Sequence, residues 1–139
     1  MASILLAEDA LDISYLVVLL LHDAGHRVAS VSDGVSAVQR ATQELPDLII
    51  MDLALPLLDG WEATRQLKAQ GNTRHIPVLA FTAHVLQDDI EHALAVGCAA
   101  VLPKPFDITT FLDTIAHLLH PPNQQTCERS VGCEDKEEY

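Results

Sequence analysis

A chain of 139 residues has room for one compact domain and little for a second. Hydrophobic residues make up 49% of it and aromatic residues only 4%, so its core is aliphatic, as where helices cover a buried sheet. The formal net charge of −12 disfavours direct binding of nucleic acid, because so acidic a surface repels phosphate backbones.

Taken in chain order, residues 4–7 form a short apolar run that stops abruptly at Glu8-Asp9. Residues 11–23 read as a helix, closed by Gly25 as a C-terminal stop. Residues 27–31 are a short strand, and Asp33-Gly34 is a turn that opens a helix over 35–44. Pro46 breaks that helix, and the run 47–52 is a buried strand ending in Asp52. A loop containing Pro56 follows, and Asp59 caps a helix that runs through Trp61 to about residue 69. Gly71-Asn72 ends it. The next strand is predicted over 76–81, with Pro77 tolerated near its start. A helix over about 86–96 stops at Gly97, 99–102 is a last strand, and 107–119 a last helix. Pro121-Pro122 ends the fold. Residues 121–139 are polar, charged and aperiodic, and are expected to be disordered beside a folded domain over 1–120.

Five strand patterns alternating with five helical ones imply right-handed crossovers and a parallel sheet covered on both faces. The first residues, Met1-Ala2-Ser3-Ile4-Leu5-Leu6, lack the basic start and long apolar core of a signal peptide. The most apolar run, 15–21, is too short to span a bilayer. Cys98, Cys127 and Cys133 are odd in number and lack framework spacing, which suits reduced thiols in a cytoplasmic protein. Pairing or adventitious metal binding by Cys127 and Cys133 is the less favoured alternative.

The informative feature is where polar residues fall. Glu8-Asp9 follows the first strand, Asp52 ends the third, Thr82 ends the fourth and Lys104 follows the fifth. In a parallel sheet these ends share one edge, and ligands bind there where strand order reverses. In the order 2-1-3-4-5 the first and third strands are neighbours, so three carboxylates converge. Converging anions need compensation, from a hard cation such as Mg²⁺ and from the fixed charge of Lys104. Any one of these acids alone reads as a helix cap or a solvated strand end. All of them at adjacent strand ends do not.

At these residues the chain resembles the receiver domain of bacterial response regulators, a flavodoxin-like (βα)5 doubly wound α/β fold. The matching segments are Ile4-Leu5-Leu6-Ala7-Glu8-Asp9, Met51-Asp52-Leu53-Ala54-Leu55-Pro56-Leu57-Leu58-Asp59-Gly60, Phe81-Thr82-Ala83 and Lys104-Pro105-Phe106. The resemblance covers about residues 3–119. It implies that Asp52 accepts a phosphoryl group from a phosphohistidine and that Asp9 and Asp52 ligate Mg²⁺ (or Mn²⁺) directly. The Ala54 backbone carbonyl would be a third ligand, and Glu8 would act through a water. Lys104 would pair with one phosphoryl oxygen and Thr82 would bond another, with Ala83 small enough to leave room. The peptide bond before Pro105 is usually cis in this family, which would aim the lysine.

Two departures from the family pattern stand out. Glu8 replaces a commoner Asp, and Val101 stands where the family's switch aromatic falls, three residues before Lys104. Ring rotation cannot then couple the site to the surface of the fourth helix, fifth strand and last helix. Ala54 and His84 occupy positions that, by the same resemblance, flank the water path to the acyl phosphate; for His84 a surface histidine at a helix start is the preferred reading. In a receiver alignment Leu16, Leu20 and Val17 face the core, leaving Tyr15, Val18, Leu19 and His22 outward. That stripe is either a docking surface for the helical bundle of a histidine kinase or histidine phosphotransfer protein, or a more deeply buried helix, or a few exposed side chains of no consequence.

The expected protein is thus a stand-alone phosphoacceptor, monomeric or weakly dimeric, acting on an unknown downstream protein, with no direct nucleic-acid or membrane partner. It would be no enzyme beyond slow self-dephosphorylation. Excision from a hybrid kinase and a phosphorylation-independent module are the alternatives, the latter opposed by the complete acid, threonine and lysine set. A flavin site would want a glycine-rich phosphate loop where Glu8-Asp9 stands. An aspartate phosphatase would carry a second acid where Ala54 stands.

Overall fold

The computed structural model describes residues 2–55, 57–82, 87–103 and 107–119, with the backbone alone at 87–89. The order of elements is β1 (Ser3–Ala7), α1 (Leu11–Asp23), β2 (Arg27–Val31), α2 (Gly34–Glu44), β3 (Leu48–Asp52), α3 (Gly60–Ala69), β4 (Val78–Thr82), α4 (Gln87–Val96), β5 (Ala100–Pro103) and α5 (Ile108–Leu119). The five strands form one sheet in the order β2-β1-β3-β4-β5, parallel throughout. This is the flavodoxin-like architecture expected from the alternation of apolar runs. No helix among the described residues is long and apolar enough to cross a membrane.

Side chains alternate across a strand, so each central strand feeds two cores. Leu5, Ala7, Ile49, Met51, Val78 and Ala80 pack with Ala37 and Ala41 of α2, Ala63 and Leu67 of α3, and Ala93 of α4. Ile4, Leu6, Leu48, Ile50, Leu79 and Phe81 pack with Val17 and Leu21 of α1 and with Phe111 and Ile115 of α5. Strands β3 and β4 are buried at every residue, as a sheet covered on both faces requires.

Local chemistry explains the element ends. Asp33 accepts from the Ser36 N–H at the start of α2, and Asp59 from the Glu62 N–H at the start of α3. Gly25 and Gly97, both at positive φ, follow α1 and α4. Strand β4 begins two residues later than expected. Pro77 has no N–H to give the ladder, so it contributes only its carbonyl, to Ile49 N, while Ile76 N closes a turn on Thr73 O.

Helix α1 departs from expectation in phase. Val17 and Leu21 are its buried residues, and Ile13, Val18 and Leu20 pack partly against the same core. Leu16, expected in the core, is 41% exposed. An apolar run without a polar face gives periodicity nothing to phase against.

Candidate functional site

The sheet register brings the acids together. Ala7 pairs with Met51, so the residues that follow β1 lie beside the end of β3, where Asp52 in turn pairs with Phe81. One carboxylate oxygen from each of Glu8, Asp9 and Asp52 lies within 4.8 Å of the others. Glu8 and Asp52 are buried and Asp9 is exposed at the mouth. Thr82, also buried, ends β4 on the same edge, where it pairs with Pro103 of β5.

Backbone groups hold these side chains in place. Glu8 N donates to Val31 O at 3.0 Å, tying the end of β1 to the end of β2, and Glu8 Oε2 accepts from Ala10 N at 3.1 Å. Asp52 Oδ1 accepts from Ala54 N at 3.0 Å. The loop after Asp52 closes on itself through Gly60 N to Leu53 O at 3.1 Å, while Leu53 N donates to Phe81 O of β4. Buried Leu53 and Leu55 anchor its first half in the core.

Three carboxylates this close, two of them buried, repel one another unless cationic charge offsets them. The donor set is oxygen only, which suits a hard divalent ion that keeps part of its water shell. The residues present therefore fit the Mg²⁺ site expected of them.

Other expected residues fall into three groups. Lys104, Ala83, His84 and Pro105 lie outside the described residues. Val101 is half-buried on β5 and packs against the core beneath α2, α3 and α4. On α1, Tyr15 (69%) and Leu19 (48%) are exposed, His22 is exposed, and Val18 is half-buried. Tyr15 and Val18 line an open groove of about 550 Å³ with Leu11, Asp12, Ser14 and Ser30.

Three features escaped the sequence reading. Leu11 on α1 and Leu57 in the loop after Asp52 are exposed apolar side chains near the acid cluster in sequence. Leu57 also has a left-handed φ of 68°, which nothing but a Pro-containing turn hinted at. Trp61 meets His92 of α4 edge-on, with ring centroids 4.6 Å apart, a pairing across helices that no local pattern encodes.

Comparison with known proteins agrees with this geometry. The response regulator receiver domain model matches residues 4–116. The polar-differentiation response regulator DivK of Brucella anthropi is 37% identical over 100 residues, 72% of this chain and 81% of its own length. The receiver domain of sensor histidine kinase PA1611 from Pseudomonas aeruginosa PAO1, solved with a magnesium ion in its active site cleft, is 38% identical. It superposes with a TM-score of 0.79 over 85% of this chain and 97% of its own. Chemotaxis response regulator CheY4 of Vibrio cholerae is 31% identical, with a TM-score of 0.81 over 86% and 99% of the two chains. With strand order, acid cluster and family match in accord, the chain belongs to the response regulator receiver domains of two-component phosphorelay signalling.

Proposed function

We propose that Asp52 is the phosphoacceptor of this receiver, with Mg²⁺ or Mn²⁺ held by Asp9 and Asp52 directly, by the Ala54 backbone carbonyl, and by Glu8 through a water. The observation that carries the reading is the oxygen cluster of Glu8, Asp9 and Asp52 at the sheet edge. When bound, the ion offsets negative charge on the carboxylates and on the transferring phosphoryl group. An Asp52 carboxylate oxygen attacks phosphorus. The P–N bond of the donor phosphohistidine breaks, and its electron pair leaves with the imidazole. Ala54 N, bonded to Asp52 Oδ1, helps to hold that carboxylate in position for attack. Thr82 bonds a phosphoryl oxygen on the product and Lys104, next after β5, pairs with another, with Ala83 leaving room. Ala54 and His84 tune the lifetime of the acyl phosphate.

The donor is a histidine kinase or histidine phosphotransfer protein, which docks on the outer face of α1. Residues 1–120 act as the receiver unit, with 121–139 as an appended tail. The protein works by contact, as a monomer or weak dimer in the cytoplasm, and turns over its phosphoryl group only by slow self-hydrolysis. Because Val101 replaces the ring on β5, output does not depend on rotation of an aromatic there.

Intact mass after incubation with acetyl phosphate and Mg²⁺ tests the chemistry. One added phosphoryl group that needs Mg²⁺ and is lost in Asp52→Asn is expected. No addition to folded protein would overturn the reading. For the docking face, Leu19→Glu is a cleaner probe than Val18, which packs partly on the core. Its expected effect is slower transfer from a phosphohistidine donor at unchanged acetyl phosphate labelling.

A further inference from the structure

We infer that the junction between β2 and α2, through Gly34, sets the spacing between Glu8 and the loop carrying Asp52, making Gly34 a positioning residue for the divalent cation. This rests on the reading that the acid cluster holds such an ion.

The acids reach the site from two separate stretches of chain. Glu8-Asp9 follows β1, whereas Asp52 begins a loop that runs to Asp59. The β2–α2 junction touches both. At one end Val31 O accepts the Glu8 N–H at 3.0 Å. Three residues on, Gly34 abuts the α3 end of the Asp52 loop: a Cβ there would lie 2.6 Å from the Leu58 carbonyl carbon and 2.9 Å from Leu58 Cβ, and would overlap the Leu58 carbonyl oxygen. Only a residue without a Cβ allows this approach.

The loop needs that support. Beside Leu58, Leu57 has a φ of 68°, a conformation that leucine persists in only where its surroundings impose it. Where the loop ends, a Cβ on Gly60 would lie 2.7 Å from Leu53 Cα, so α3 begins directly against the main chain that follows Asp52. The loop thus meets Gly60 at Asp52 and Leu53 and Gly34 at Leu58. Gly34 is itself fixed by the Asp33 cap, whose carboxylate takes both the Ser36 N–H (2.7 Å) and the Ser36 hydroxyl (3.1 Å). Pushing Leu58 away moves the Asp52 loop relative to Glu8, which stays bonded to Val31.

Mn²⁺ titration, with free ion counted by its paramagnetic resonance signal, tests the role on folded protein. Gly34→Ala is expected to bind Mn²⁺ about tenfold more weakly than the wild type, the size of loss typical of groups that orient metal ligands. Gly71→Ala, at a glycine with open space around it, should match the wild type. Circular dichroism and urea midpoints establish that each variant is folded. If Gly34→Ala does not fold, Asp33→Ala loosens the same turn without a collision and should weaken Mn²⁺, whereas Asp33→Asn keeps a cap and should weaken it less. Reduced stability with unchanged Mn²⁺ affinity in folded Gly34→Ala, or in Asp33→Ala, would overturn the positioning role alone. No Mn²⁺ uptake by the wild type would overturn both this role and the metal reading beneath it.

Discussion

The two faces of the sheet are built by different means. Against α1 and α5 the contacts are bulky: Leu21, Phe81, Phe111 and Ile115 fill the layer, with the two phenylalanine rings 5.9 Å apart. Against α2, α3 and α4 many facing residues are small: Ala37, Ala41, Ala63, Ala80 and Ala93, with Gly34 and Gly60 at the helix starts. Bulk stabilises by the apolar area it removes from water. Small residues let main chains approach, and main chain is what frames the acid cluster on this side. The first face is therefore a store of stability, while the second also sets geometry at the site.

The largest test of that division is Phe111→Ala, which empties the bulky face. It should cost about 3–5 kcal/mol by urea unfolding, with Mn²⁺ affinity of the folded protein unchanged. A matching loss of metal affinity would break the distinction. Next comes Ala63→Leu, which overfills the small-residue face and should cost about 1–3 kcal/mol. Here labelling by acetyl phosphate should slow as well, since α3 begins against the loop that follows Asp52.

The smallest effect concerns pH. Burial pushes the Cys98 thiol above its ordinary value of 9.0, although the neighbouring Thr64 and the charge of Lys68 act the other way. The folded state then keeps a proton that the unfolded state releases, so stability tied to Cys98 is fully present below pH 9.0 and is lost as pH rises toward the folded value. Lys68, whose ammonium donates to the carbonyls of Arg74 and Ile76, is pushed below 10.5 by burial and contributes with the opposite slope. Comparing the wild type with Cys98→Ala isolates the thiol: the wild type should lose stability relative to the variant above pH 9.0. Parallel curves would show that the small-residue face does not seal the thiol from water.

Much of this protein was determined by its sequence alone. Apolar runs bounded by Gly, Pro and capping Asp residues encode strands and helices locally, and parallel alternation then leaves few topologies open. Because every strand of a parallel sheet points the same way, polar residues at 8, 9, 52 and 82 were bound to share one edge. Tertiary structure decided what local pattern cannot carry. The phase of α1 followed from which side chains the sheet accepted, burying Val17 and Leu21 and leaving Leu16 outside. The pairing of Trp61 with His92 and the fit of Gly34 against Leu58 join residues 31 and 24 positions apart. Such contacts depend on how whole elements pack, and periodicity within one element holds no record of its neighbour.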